Sequence, residues 1–214
     1  MSEIHLNDVF DTIQGEGANS GRRALFVRLP FCNLACPWCD TEFNSFTKWS
    51  EEQFKEVALS FVGPNALAVV TGGEPSMHKH APTVVRLLKS CGYQIAMESN
   101  GQFLAPMGVD HLTISPKRWH SKDVSDLSKK FQFDHRNRPG EIKLVVDGED
   151  VFEAAKRIQN DWAAQKFDFA GEPLFFLSPE WNEREKWLPQ IVEFVQQNPR
   201  WRISLQTHKL LGVK

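Results

Sequence analysis

Three of the chain's four cysteines fall within eight positions, in the stretch Phe31-Cys32-Asn33-Leu34-Ala35-Cys36-Pro37-Trp38-Cys39-Asp40-Thr41. Thiolates spaced C-x₃-C-x₂-C can converge on one metal centre. A closed structural zinc site takes four ligands in a tetrahedron, and an iron–sulfur cubane normally takes four cysteines, one per iron. This loop supplies three. A cubane held by Cys32, Cys36 and Cys39 leaves one iron with an open coordination position, where a small molecule can bind and react. The same thiols would also suit buried small hydrophobes, a zinc site completed by a distant histidine (His78 or His208), or a disulfide. A disulfide would leave one of the three unpaired, and the chain opens without an apolar signal segment that would direct it to an oxidising compartment. Cys91, at the end of a helical pattern, reads as a packed core thiol.

The elements that must position such a loop are legible on either side of it. A short apolar strand, Ala24 to Leu29, runs into the cysteines and carries Arg28. A charge inside such a run either points to a solvated face or pairs with a carboxylate or another planar group. Ahead of it, Ile4 to Ile13 alternates loosely and ends in Gln14-Gly15-Glu16-Gly17. On composition alone this is a surface turn with a solvated Glu16. Ser50-Glu51-Glu52-Gln53 fits a capping box, and Phe54, Val57, Ala58 and Phe61 follow at helical spacing up to Gly63-Pro64. Ala66 to Val70 is a continuous apolar run, as in a parallel strand covered on both faces. It ends in Thr71-Gly72-Gly73-Glu74-Pro75, and a helix then begins near Pro82 and closes at Gly92.

The rhythm repeats along the rest of the chain. Gln94 to Met97 leads to Glu98-Ser99-Asn100-Gly101, and Leu112 to Ile114 leads to Ser115-Pro116-Lys117. Ile142 to Val146 precedes Asp147-Gly148 and a helix from about Asp150. Leu174 to Leu177 leads to Ser178-Pro179-Glu180-Trp181 and a helix through Trp187, Ile191, Phe194 and Val195; Arg202 to Leu205 leads to Gln206-Thr207-His208-Lys209. Strand, polar loop, helix, strand is the pattern of parallel α/β architecture with right-handed crossovers. About seven strands with fewer clear helices predict an incomplete TIM-type barrel, helices outside, with its site in the loops at the carboxyl ends of the strands. Cys32, Glu74, Ser99, Lys117, Glu180 and His208 all fall there.

At 214 residues the chain suits a single domain, 1–214. A net charge of −2 and a pI near 6.4 argue against a general nucleic-acid or membrane-surface binder, which shows as a basic excess. No apolar run approaches the roughly 18 residues that cross a bilayer. A cytoplasmic protein is expected, since thiols stay reduced there. The segment from Lys117 to Gly140 is basic; it reads as a solvated loop or short helix, with docking of an acidic electron donor as the alternative.

The cysteine spacing with Trp38 before the last thiol, together with Thr71-Gly72-Gly73-Glu74-Pro75, resembles the radical S-adenosylmethionine enzymes. In that family the amino and carboxylate groups of S-adenosylmethionine chelate the open iron, and an electron from the reduced cluster releases a 5′-deoxyadenosyl radical. Further stretches resemble one branch closely: Thr12-Ile13-Gln14-Gly15-Glu16-Gly17, Arg28, Cys39-Asp40-Thr41, Glu98-Ser99-Asn100-Gly101, Ser115-Pro116-Lys117 and Gln206-Thr207-His208-Lys209. That branch is the 7-carboxy-7-deazaguanine synthase family of queuosine biosynthesis, and the resemblance spans nearly the whole chain.

The resemblance implies a Mg²⁺-assisted ring contraction of 6-carboxy-5,6,7,8-tetrahydropterin to 7-carboxy-7-deazaguanine, with loss of ammonia and S-adenosylmethionine regenerated. Implied substrate contacts are Ile13, Gln14, Gly15, Glu16, Arg28, Ser99, His208 and Lys214, the last through its carboxylate. Implied S-adenosylmethionine contacts are Trp38, Cys39 and Asp40 around the adenine and Gly72, Gly73 and Glu74 at the methionine end. Along the nucleoside they are Gly101, Ser115, Pro116, Lys117, Ser178, Pro179, Glu180 and Trp181. Thr41 is the implied protein ligand of Mg²⁺, an ion that keeps its waters. Arg28 offers a planar fork suited to a carboxylate, and Gln14 and Glu16 can read the donor and acceptor edge of a pterin. The chain has Ser178-Pro179 where relatives often have Gln-Pro, and Ser99 where Thr is common. A homodimer and a flavodoxin-like electron donor are also implied, with no direct nucleic-acid partner and no membrane. The rivals are a glycyl-radical-enzyme activase and, outside enzymes, a zinc-binding interaction module.

Overall fold

The computed structural model describes residues 3–117, 138–164 and 172–214. The loosely alternating amino end divides in two. β1 (Glu3–Leu6) pairs antiparallel with β4 (Thr47–Ser50), and β2 (Asp8–Ile13) pairs antiparallel with β3 (Arg23–Leu29). In the larger sheet every strand after β3 joins in parallel: β5 (Leu67–Gly72), β6 (Gln94–Ser99), β7 (His111–Ile114), β8 (Pro139–Val146), β9 (Leu174–Pro179) and β10 (Trp201–Ile203). The sheet order is β10-β9-β8-β7-β6-β5-β3-β2, so each new strand adds beside its predecessor. Right-handed crossovers in one direction curl the sheet and carry the helices to one side. β2 and β10 stand at opposite edges of the order, so the barrel is partial, with seven parallel strands as the sequence pattern predicts.

The capping box forms as written: Ser50 Oγ accepts from the Gln53 amide at 3.1 Å, and the Gln53 side chain accepts from the Ser50 amide at 2.9 Å, starting α1 (Glu51–Phe61). α2 (Ala81–Ser90) ends at Gly92, which takes φ 93°. α3 (Asp150–Ala164), α4 (Arg184–Gln197) and the short α5 (Thr207–Leu211) complete the described helices.

Strand periodicity decides which face is dry. Leu25, Val27, Leu29, Ala68, Val70, Ile95 and Met97 point outward and bury Phe54, Ala58, Val84 and Leu88 of α1 and α2. Ile142, Leu144, Val146, Phe175 and Leu177 do the same against α3 and α4, with Trp187 and Trp201 filling the layer. At about 1.5–3 kcal/mol for each large apolar side chain buried, this outer layer is where the fold gets its stability. On the opposite face Ala24, Leu67, Val69 and Ala96 meet beside Phe26 and form an apolar floor. Above that floor most inward positions are polar, among them Arg28, Thr71, Glu98, Thr113, Glu141 and Lys143.

Candidate active site

The cysteine loop hangs from the end of β3. Its base is closed by the Phe31 amide donating to the Phe43 carbonyl at 2.7 Å, with Phe31 itself at φ 65°. The end of β5 is laid directly on this base: the Gly73 amide donates to Leu29 O and the Glu74 amide to Phe31 O, both at 2.9 Å. A Cβ on Gly73 would stand 1.8 Å from Phe31 O, and one on Gly72 2.1 Å from Leu29 O. Two glycines are needed here because main chain packs on main chain. The glycine pair therefore locks the root of the cysteine loop.

Glu74 is buried and accepts from the Ser76 amide and hydroxyl, from Ser99 Oγ at 2.8 Å and from the Asn100 amide at 2.6 Å. It thus joins the loop after β5 to the loop after β6. On the far side, Trp38 Nε1 donates to Asp147 Oδ2 at 3.0 Å and Lys117 Nζ lies 5.3 Å from the Trp38 ring, drawing the cysteine loop toward the ends of β7 and β8.

These loops enclose a cavity of about 280 Å³. Cys32, Cys36, Trp38, Cys39, Asp40 and Thr41 form one wall, with Gly72, Gly73, Glu74 and Ser99 beside them. Ser115, Lys117, Ser178, Pro179, Glu180 and Trp181 form the next wall, and Ile13, Gln14, Glu16, Arg28, His208 and Lys214 close the circuit. Of the residues singled out from sequence, Gly15, Gly101 and Pro116 stand behind the lining. Gly15 still matters to its shape, since a Cβ there would meet His208 Nδ1 at 2.0 Å. The basic stretch between Lys117 and Gly140 lies mostly outside the described residues, as does the donor-docking role considered for it.

Glu16 is not the solvated turn residue that composition suggests. Its side chain is 19% exposed and its carboxylate meets Lys143 Nζ at 2.6 Å and Gln206 Nε2 at 2.8 Å. Burial would raise its pKa, but the Lys143 charge and hydrogen bond, with Gln206 and His208 assisting, bring it down from 4.5 to about 2. Lys143 also reaches Glu98 at 3.0 Å. Burial raises the Glu98 pKa, with Glu16 and Glu141 adding to the rise against the pull of Lys143. His208 is lowered, chiefly by burial. Arg28 carries its guanidinium 5.0 Å from the Phe10 ring and has no carboxylate partner among the described residues.

Lys143, Glu98 and Gln206 line the cavity, yet sequence reasoning did not single them out as site residues. For Lys143 the signal was present: a charge in the apolar run of β8, the same feature that drew attention to Arg28. Glu98 and Gln206 sat unweighed inside motifs already noted.

Among the described residues, no three His, Cys, Asp or Glu side chains gather closely enough to chelate a single ion. His78 packs with His80, ring centroids 5.3 Å apart, and among the described residues neither it nor His208 gathers with the thiols into a group that could hold an ion, so neither completes a zinc tetrahedron. Three thiols strung around one loop, all facing one cavity, fit a multi-iron cluster held at three corners. Burial raises the pKa of Cys32, and that of Cys36 to about 11, so both hold their protons until a metal displaces them.

A partial parallel barrel with a three-thiol loop after its first parallel strand defines a radical S-adenosylmethionine enzyme, and residues 26–160 match the Radical SAM superfamily. The chain is 33% identical to a 7-carboxy-7-deazaguanine synthase of Haemophilus influenzae, with 99% of this chain and 94% of the relative covered. It is 31% identical to a 7-carboxy-7-deazaguanine synthase of Prochlorococcus marinus, with 95% of each covered. Its fold overlays the crystal structure of QueE from Escherichia coli with a TM-score of 0.71 at 22% identity, covering 95% of this chain and 93% of that one. The chain belongs to the 7-carboxy-7-deazaguanine synthase family and is a radical S-adenosylmethionine lyase using a 4Fe–4S cluster. The activase and zinc-module alternatives are thereby set aside.

Proposed function

We propose that this chain contracts 6-carboxy-5,6,7,8-tetrahydropterin to 7-carboxy-7-deazaguanine with loss of ammonia, assisted by Mg²⁺. One observation carries this: a single cavity is lined both by the three thiols and by Arg28, Gln14, Glu16 and His208. Cluster and S-adenosylmethionine, when bound to Cys32, Cys36, Cys39 and the surrounding loops, supply a radical able to abstract hydrogen. The chain's own residues bind and orient. Arg28, uncommitted to any described carboxylate, takes the substrate carboxylate as a planar fork. Glu16, ionised at any working pH, accepts from the N–H groups of the pterin, and Gln14 presents an amide to the same edge. Ser99 and His208 flank the ring, with the Lys214 end near Thr12, whose hydroxyl donates to Lys214 O at 2.9 Å.

Trp38, Cys39 and Asp40 border the adenine, with Gly72, Gly73 and Glu74 at the methionine end. Gly101, Ser115 to Lys117 and Ser178 to Trp181 run along the nucleoside. Thr41 would hold Mg²⁺ as its protein ligand, which suits an ion that keeps most of its waters. The chain works as one domain over 1–214, as a homodimer reduced by a flavodoxin-like donor, in the cytoplasm. Support for that setting is chemical: free thiols need a reducing compartment, and among the described residues no helix is long and apolar enough to cross a membrane.

The deciding experiment incubates reduced, anaerobically reconstituted protein with S-adenosylmethionine, Mg²⁺ and the carboxytetrahydropterin, and reads products by mass spectrometry. The deazaguanine acid is expected, with little net consumption of S-adenosylmethionine. Formation of 5′-deoxyadenosine without that product would assign the cavity another substrate.

A further inference from the structure

Lys143 has no task in the chemistry described so far, yet it is 6% exposed at the heart of the cavity floor. It lies two positions after Glu141 on β8, so both side chains enter the barrel. Around its ammonium the acceptors form a closed array. Lys143 donates to Glu16 at 2.6 Å and to Glu98 at 3.0 Å; Gln206 donates to the other oxygen of Glu16 at 2.8 Å, and Gln14 to the other oxygen of Glu98 at 3.2 Å. The ring closes where the Glu16 amide donates to Gln14 Oε1 at 3.2 Å. The Glu16 carboxylate is thus held by two donors, Lys143 on one oxygen and Gln206 on the other, and one cation serves two carboxylates. Glu141 on the same strand, Lys117 after β7 and His208 of α5 are the other charged or titratable groups whose fields reach Lys143.

We propose that Lys143 is a positioning residue: it fixes Glu16 as an ionised, fully aimed acceptor, so that the cavity selects a ligand edge with adjacent N–H donors, such as a 2-aminopyrimidin-4-one. The inference rests on the pterin reading of the substrate. Lys143 itself need not touch ligand. Without it, two carboxylates whose oxygens lie within about 6 Å are left facing one another, and such a pair retains a shared proton toward neutral pH. A protonated Glu16 accepts poorly, and the N–H edge loses its partner.

The test measures binding of the fluorescent analogue 6-carboxypterin to cluster-loaded, S-adenosylmethionine-bound enzyme across about pH 6 to 8. Wild type is expected to bind with a flat profile. Lys143→Met is expected to bind on the order of a hundredfold more weakly at pH 7 and to recover affinity as pH rises and Glu16 sheds the shared proton. Lys143→Arg, which keeps the charge, should restore the flat profile. Wild-type affinity in Lys143→Met, or a loss with the wild-type pH profile, would overturn the proposal. Should Lys143→Met fail to fold, infrared pH-difference spectra of the wild-type holoenzyme decide. No protonated-carboxyl band assignable to Glu16 by its loss in Glu16→Gln is expected between about pH 4 and 8, and its appearance there refutes the role. Failure of wild type to bind the pterin analogue would sink the substrate reading alone, since the infrared measurement needs no ligand.

Discussion

Gly73 and Glu16 show how single residues carry the site. Gly73→Ala places a methyl 1.8 Å from a backbone oxygen that has no room to retreat, because Phe31 is pinned at Phe43. The expected cost is about 1–3 kcal/mol, concentrated in the cysteine loop. Iron content after reconstitution should fall well below that of wild type while the far-ultraviolet circular dichroism is retained. Glu16 predicts a pH dependence with a definite sign. Its folded pKa of about 2 lies below the ordinary 4.5, so its contribution to stability is present above pH 4.5 and disappears as pH falls toward 2. Urea denaturation should show wild type losing on the order of 2–3 kcal/mol relative to Glu16→Gln between about pH 5 and 2. The thiol spacing was legible in sequence because three neighbouring side chains make a local pattern. Glu16 was not, because its partners lie 127 and 190 positions away, and composition alone sends such a residue to solvent.

At the scale of elements, local signals wrote what local contacts hold. Ser50-Glu51-Glu52-Gln53 specifies the start of α1 by side chains three residues apart, and the helix begins there. Ser50→Ala removes one half of that box and is expected to lower stability by about 1 kcal/mol, seen as a shift in the urea midpoint, with 5′-deoxyadenosine formation per cluster unchanged. The amino end resisted the same treatment. Ile4 and Leu6 are fully buried, but β1 owes its place to β4, more than forty residues on, and loose alternation carries no information about that partner. β8 misled in a subtler way. Its apolar run Ile142, Leu144, Val146 describes only the outer face, while Glu141 and Lys143 between them build the inner one. Reading a strand as two faces instead of one run would have recovered both.

For the whole molecule, the open side of the partial barrel is the feature that ties fold to reaction control. The gap between β2 and β10 is bridged by the carboxyl-terminal segment. The Gly17 amide donates to Ser204 Oγ at 2.9 Å, the Thr207 amide to Gly15 O at 3.0 Å, and Gln206 to Glu16. Within α5, Lys209 Nζ reaches Asp40 of the cysteine loop at 2.5 Å, and beyond the helix Lys214 Nζ meets Asp8 at 2.5 Å. The opposite side of the cavity is held without this segment, by β3 on β5, by Glu74 and by Trp38 on Asp147. Deleting residues 206–214 should therefore leave the cysteine loop able to take up its cluster and cleave S-adenosylmethionine. What it removes is the wall that holds substrate and shuts out water. A radical formed beside an open wall is quenched before it meets the pterin, so 5′-deoxyadenosine per deazaguanine product should rise about tenfold or more. Iron per chain should stay within a factor of about two. Equal coupling in the truncated and full chains would show that the segment is mere cladding. Loss of iron uptake along with coupling would show that the Lys209–Asp40 contact holds the cysteine loop itself.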